Sequence, residues 1–387
     1  MDFELSSEQQ AIRDTCRDFA REVVAPAAED LDRNHKFGYD IVRQMGELGL
    51  FGLPFSEEVG GAGADFLSLC LAIEEISRGD AGVGITLEAA VCLGSAPIYE
   101  FGTAEQKDRW LPDLVSGRKL WSFGLTEPEA GSDAGATKTR AEQRDGKWVI
   151  NGAKQFITNC GTDISAGVTI TAVTGRNGGG ESEISAIMVP TGTPGYHVLE
   201  SYRKLGWHSS DTHPLSFEGC EVPAENLLGE RGGGYRQFLH TLTGGRIAIA
   251  ALSVGLAQAC LDASLAYAKE RRTFGEPISK HQAIQFKLAD MAMETEVART
   301  IVYRAAVAYG REGSESSDDV RMLAAMSKLY ASEASKRAAD QAVQIHGGYG
   351  FMEDYPVARY WRDVKINEIG EGTSEVQRML IARLLGA

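Results

Sequence analysis

Between Ser6 and Val24 the apolar residues Ile12, Cys16, Phe19, Val23 and Val24 return at helical intervals, as expected of a helix with one buried stripe. Ser6 stands three residues before Gln9, a capping-box spacing that marks a helix start. "YDIVRQMGELGL" and "DFLSLCLAIEEISRG" repeat the period, separated by glycine clusters such as "VGGAGAD". Near Trp121 the texture becomes strand-like. "GKWVINGAKQFITNC" carries β-branched and aromatic residues on both sides of Asn151-Gly152, which predicts a hairpin turn there. "GVTITAV", "SAIMVP", "YHVLE" and "HPLSFEGCEVP" follow as short strands, with "RNGGGESE" as a hairpin tip. After "GERGGGYRQF" long helices are expected over 243–272, 280–311 and 318–346. "TSEVQRMLIARLL" closes the chain as a last helix, with Ser374 and Gln377 at capping-box spacing.

These textures predict an α+β multidomain chain. A helical N-terminal domain would span 1–120, a central β-barrel domain 121–235, and a C-terminal four-helix bundle 236–387.

Charge narrows the function. The 54 acidic and 39 basic residues leave a net charge of −15, which argues against nucleic acid and against an anionic membrane surface. A phosphate-bearing ligand needs only a local cluster of donors and is not excluded. The six cysteines form no C-x-x-C pair and none stands beside a histidine at metal spacing. They read as reduced, buried residues of a cytoplasmic protein. "MDFELSSEQQ" is too acidic and polar for a signal peptide. The most apolar stretch, Arg246 to Ala268, is interrupted by Gln258 and Asp262 and reads as a buried helix.

Familiar catalytic spacings are missing. No G-x-G-x-x-G follows a strand, and there is no Walker loop, H-E-x-x-H or G-x-S-x-G. What remains is a set of polar, glycine-bearing stretches at domain edges: "GLTEPEAGSDAGATKT", "FITNCGTD", "ERRTFGEPISKHQAIQ", "QIHGGYGF" and "EIGEGTSE". Singly, each has a bland explanation. "TEPEAGSD" could be a loop, "RRTFGEPI" and "HGGYG" helix stops, and Glu371 an acid favoured by the dipole of the helix that follows it.

Together and in this order, the five stretches resemble the acyl-CoA dehydrogenases along essentially the whole chain. That resemblance implies an FAD enzyme, usually a homotetramer. It would oxidise the Cα–Cβ bond of an acyl-CoA to a trans-2-enoyl-CoA and pass electrons to an electron-transferring flavoprotein. It further implies Glu371 as the base. Phe123, Leu125, Thr126, Phe156 and Thr158 would lie by the flavin. Arg271, Thr273, Phe274, Gln282 and the run from Gln344 to Gly348, with Gly347 and Gly348, would hold the diphosphate and adenine of a neighbouring subunit's FAD. Thr373 and Glu375 would also touch FAD, although many relatives carry Gln at the position of Glu375. Ser132, Leu242, Arg246, Gly370 and Gly372 would line the substrate; no metal is implied.

Two positions bear on substrate shape. Many straight-chain relatives have Tyr where this chain has Gly370. The isovaleryl-CoA enzymes also have Gly there, but lack Glu at the position of Glu371 and take their base from the position of Gly245. Gly84 falls near the place where glutaryl-CoA enzymes hold an arginine, which argues against a dicarboxylic substrate. The expectation is a dehydrogenase for short to medium acyl chains that tolerates branching. An acyl-CoA oxidase and a non-catalytic protein on the same fold are the alternatives.

Overall fold

The computed structural model describes residues 4–176, 178–311, 313 and 317–387. The first helix, Ser7–Phe19, carries both arms of the expected capping box: Gln9 N–H donates to Ser6 Oγ (3.2 Å) and Ser6 N–H donates to Gln9 Oε1 (2.9 Å). It continues into Ala25–Asn34 through a wide turn, Ala20–Val24. Pro26 explains the widening, because it lacks an amide hydrogen and its ring crowds the preceding turn.

A buried helix follows at Phe66–Gly79, capped by Asp65, whose Oδ1 accepts from Ser68 N–H (2.8 Å). Asp80 caps the next helix, Ala81–Glu88, accepting from Val83 N–H (3.0 Å). Every residue of that helix is buried, Glu88 at its end included. A second wide turn, Ala89–Ser95, carries the chain into Ala96–Phe101.

The middle of the chain is one sheet. Its path runs Tyr196–Val198, Thr212–Pro223, Lys147–Thr158, Arg140–Arg144, Ser165–Arg176, Ser182–Pro190, Leu227–Leu228. Leu120–Gly124 pairs in parallel with Ser165–Arg176. The sheet is an open path rather than a closed barrel. Its end strands are three and two residues long and do not pair with each other.

The expected turn at Asn151-Gly152 is overturned. Both residues lie inside the strand Lys147–Thr158, and the hairpin turns at Asp145 (φ 47°) and Gly146 (φ 76°). Asn151 uses its side chain to accept from Gly219 N–H (2.8 Å). Gly152 is required because a Cβ there would sit 2.5 Å from Thr139 Oγ1, where the strand bulges. Strands Ser165–Arg176 and Ser182–Pro190 flank the expected glycine-rich tip, of which Asn177 lies outside the described residues.

The helices Gly234–Glu270, Gln282–Tyr309, Asp318–His346 and Ser374–Leu384 form the C-terminal bundle, and Asp318–His346 packs on each of the other three. The first begins at Gly234, well before the expected residue 243. The glycine run ends one residue into the helix, so Tyr235 to Leu242 are helical too. One apolar core runs through both helical regions; a second, around Trp148, Ile170, Val189 and Phe217, belongs to the sheet. Ala81–Phe101 and Gly234–Glu270 are long and apolar enough to cross a membrane on length and composition alone. Both are packed mostly inside the fold. All six cysteines are buried and unpaired.

Candidate active site

Glu371 sits between the turn Val364–Glu368 and the helix Ser374–Leu384. The helix cap is Thr373, which accepts from Val376 N–H (3.3 Å), so the expected Ser374–Gln377 box does not form. Gln377 instead donates to the carbonyls of Glu371 (3.3 Å) and Gly372 (2.9 Å). Lys328 Nζ donates to the Gly372 carbonyl (2.8 Å), and Arg246 Nε to the Glu371 carbonyl (3.5 Å). Glu371 (φ 54°) and Gly372 (φ 94°) are both left-handed. That conformation suits glycine but costs a glutamate on the order of 1 kcal/mol, so these donors hold a strained residue in place.

The carboxyl group of Glu371 is equally constrained. Its Oε2 is screened from water and has no partner, and both oxygens of fully buried Glu88 are in the same condition. The two side chains face each other. As carboxylates neither could donate; with one proton between them the contact becomes a hydrogen bond. Burial pushes the Glu371 carboxyl above the usual carboxylate range, while the charges of Lys328 and Arg246 pull it back. Glu88 is likewise raised well above that range, by burial and then by the charge of Glu371. The pair therefore favours holding one proton between its two carboxyl groups, and the nearby charges of Lys328 and Arg246 favour ionisation on the Glu371 side.

Glycines make room around this acid. A Cβ on Gly245 would overlap Glu371 Oε2 and stand 3.0 Å from Leu93 Cδ2. Around a Cβ on Gly370 the space is nearly empty, with only the Ile366 carbonyl oxygen near it, at 3.6 Å. Leu242 and Arg246, four residues apart on the helix Gly234–Glu270, share a face beside Gly245.

The sheet contributes a second group. Phe123 stacks on Phe238 with ring centres 4.0 Å apart. Leu125 and Thr126 follow, and the Thr126 carbonyl accepts from Gln155 N–H (2.8 Å). Phe156 is left-handed (φ 60°) and 62% exposed, unusual for so large an apolar ring. Thr158 is half-buried two residues on. Asn159 (φ 64°) donates through Nδ2 to the Thr86 carbonyl (3.1 Å), tying this strand to the helix that carries Glu88. The loop after Thr126 is fastened by a buried ion pair. Lys154 Nζ lies 2.7 Å from Glu127 Oε1, and Glu127 accepts from the N–H groups of Lys138 (2.7 Å) and Thr139 (3.1 Å). Ser132 is exposed on that loop.

A third group lies apart. Arg271, Thr273, Gly347 and Gly348 line an open depression of about 600 Å³ with Tyr267, His281, His346 and Tyr349. Neither Glu371 nor any residue of the sheet group reaches it. Its donor set suits a diphosphate: a guanidinium, a hydroxyl, and two glycines beside which a Cβ would meet nothing. Phe274 (98% exposed), Gln282 and Gln344 face outward rather than into this chain's own base site. Thr373 spends its hydroxyl on the helix cap, and Glu375 is exposed beside it. Among the described residues no group of three or more His, Cys, Asp or Glu could hold a metal.

Glu88, Lys328 and the Lys154–Glu127 pair escaped the sequence reading, which placed Gln377 in a helix cap rather than at the Glu371 loop. A signal existed for two of them, since "GITLEAAV" and "AAMSKLYAS" each set one charge in an otherwise uncharged helical run.

Three family models match in order: the N-terminal domain of acyl-CoA dehydrogenase over 6–118, its middle domain over 122–220 and its C-terminal domain over 232–386. A probable acyl-CoA dehydrogenase of Bacillus subtilis, YngJ, is 52% identical over 385 residues, covering 100% of both chains. The short-chain specific acyl-CoA dehydrogenase of Megasphaera elsdenii is 44% identical, covering 98% of each. The solved butyryl-CoA dehydrogenase from Megasphaera elsdenii superposes with a TM-score of 0.94 at 42% identity, covering 100% of both chains. The chain belongs to the acyl-CoA dehydrogenases, FAD-dependent oxidoreductases that dehydrogenate acyl-CoA thioesters.

Proposed function

We propose that this enzyme oxidises short- to medium-chain acyl-CoA, branched chains included, with Glu371 as the base that removes the α-proton. One observation carries the reading: Glu371, with its Oε2 screened from water, stands beside the open space at Gly370. The α C–H of a thioester is a far weaker acid than a carboxylic acid, so the base must be made stronger. Loss of water does this, because each pKa unit gained is worth about 1.4 kcal/mol of basicity. Glu371 takes the α-proton as the Cα–Cβ double bond forms, and the β-hydrogen leaves with its electron pair. FAD, when bound, supplies the acceptor for that hydride. The backbone N–H of Glu371 would polarise the thioester carbonyl.

Phe123, Leu125, Thr126, Phe156, Thr158, Thr373 and Glu375 would hold the flavin side of FAD. Arg271, Thr273, Phe274, Gln282, Gln344, Gly347 and Gly348 would grip the diphosphate and adenine belonging to a second copy, within a homotetramer. Ser132, Leu242, Arg246, Gly370 and Gly372 would line the acyl-CoA. A dicarboxylic chain is disfavoured, since a Cβ on Gly84 would clash with the Ser77 hydroxyl and leaves no place for an arginine. Butyryl-CoA dehydrogenase and short-chain specific enzymes among the relatives support the short-chain range. We assign the electrons to an electron-transferring flavoprotein, the protein to the cytoplasm, and its domains to 1–120, 121–235 and 236–387.

Mixing the yellow holoenzyme anaerobically with isovaleryl-, 2-methylbutyryl-, butyryl- and octanoyl-CoA tests the proposal. Flavin bleaching by both branched and short linear thioesters is expected. Bleaching by one linear chain alone would exclude the roomy pocket, and peroxide formation under air would favour an oxidase.

A further inference from the structure

We propose that Lys328 is a positioning residue for this reaction, clamping the loop of Glu371 and setting a buried positive charge beside it. The inference rests on Glu371 being the base. Lys328 lies on the helix Asp318–His346 and is completely buried. Lysine is almost never fully buried without a partner, so this one needs an explanation. Its Nζ donates to the Gly372 carbonyl (2.8 Å), the same oxygen that accepts from Gln377 (2.9 Å). Two donors on one carbonyl fix the left-handed pair Glu371–Gly372 from two different helices. A neutral donor would serve that carbonyl equally well. Only a positive charge also favours the ionised form of the nearby acid.

The charges that act on this ammonium are those of Glu371 on its loop, Arg246 on the helix Gly234–Glu270, and Glu368 and Glu375 on either side of Glu371. Glu88, on the helix Ala81–Glu88, also meets Glu371, and Arg321 lies on the same helix as Lys328 and bears on Arg246. Two of these forces oppose each other at Glu371. Burial disfavours the charge on Glu371, while a protonated Glu88 donating to it favours that charge. Lys328 and Arg246 add to that side and offset the burial. Burial in turn brings the Lys328 ammonium down to about 8, so it carries its charge at neutral pH and begins to lose it just above.

Three variants separate the clamp from the charge. Lys328→Gln keeps a neutral donor, Lys328→Arg keeps the charge, and Lys328→Met keeps neither. FAD content and melting temperature report folding, and the readout is the pH dependence of the bleaching rate constant with butyryl-CoA. In the Gln and Met variants the acidic limb of the profile should move up by a pH unit or more, so the rate constant near pH 6.5 falls at least tenfold and recovers towards pH 9. The Arg variant should stay close to the parent. A Gln profile that coincides with the parent's would overturn the role of charge, as would a Met variant slowed equally at every pH. Undiminished bleaching by Glu371→Gln would instead remove the base itself, a separate failure.

Discussion

A methyl group added at Gly245 would overlap the Oε2 atom of Glu371 and stand 3.2 Å from its carboxyl carbon. The helix position and the loop position therefore share one carboxylate-sized volume, and only one can fill it. This gives a steric reason for the exchange of base position in the isovaleryl-CoA enzymes that this chain resembles at Gly370.

Gly245→Ala should push the carboxylate aside. A displacement of about 1 Å from productive geometry can cost about 10²-fold in rate. Turnover with butyryl-CoA is expected to fall by that order while FAD remains bound. The double variant Glu371→Gly with Gly245→Glu should recover part of the activity lost by Glu371→Gly alone. Steady-state assays with a dye acceptor check both, and equal inactivity of the single and double variants would count against a shared site.

Gly370→Tyr should fold, because its Cβ would meet only the Ile366 oxygen, at 3.6 Å. The ring would then narrow the acyl cavity. Catalytic efficiency for isovaleryl-CoA should drop more than that for butyryl-CoA, by about tenfold or more, in line with what a methylene's worth of misfit costs in an apolar pocket. Parallel losses for both thioesters would show that Gly370 does not shape the cavity.

The acid pair should weaken the fold at high pH. Both Glu88 and Glu371 bind protons more tightly in the native state than in the unfolded chain, where a glutamate titrates at about 4.3. Their contribution to stability is fully present below that pH and is lost as pH rises through the raised native values. Glu88→Gln removes the ionisation but keeps the shape and the donor. Its melting temperature should exceed the parent's at pH 8, with the gap closing near pH 4. Thermal melts across that range would refute the pair if the gap were constant.

Lys154→Met leaves Glu127 buried without its cation. Breaking such a pair costs about 3–5 kcal/mol, and the loop from Thr126 to Ser132 loses its anchor. A lower melting temperature and faster FAD loss on dialysis are expected; retention of both would mean that the backbone bonds to Glu127 suffice.

Local signals were legible where they depend on near neighbours. The Ser6–Gln9 capping box and the helix Asp318–His346 lie where their residues predict them. Asn151-Gly152 misled because Asp145-Gly146, an equally good turn, lies a few residues earlier, and two-residue hairpins admit only one of them. Gln377 misled in another way. Its spacing from Ser374 fits a cap, but the carbonyls of the strained residues 371 and 372 compete for it and win. Glu88 and Lys328 were invisible as site residues because nothing local links them to Glu371. Packing of two separate helices against one loop brings them together.

Anaerobic stopped-flow bleaching by butyryl-CoA, parent against Glu371→Gln, is the most direct test. The variant should still bind the thioester with little loss of affinity, while its bleaching rate constant falls by about 10²–10⁴-fold, the usual worth of a general base. A variant that bleaches as fast as the parent would contradict the assignment of Glu371 as the proton acceptor.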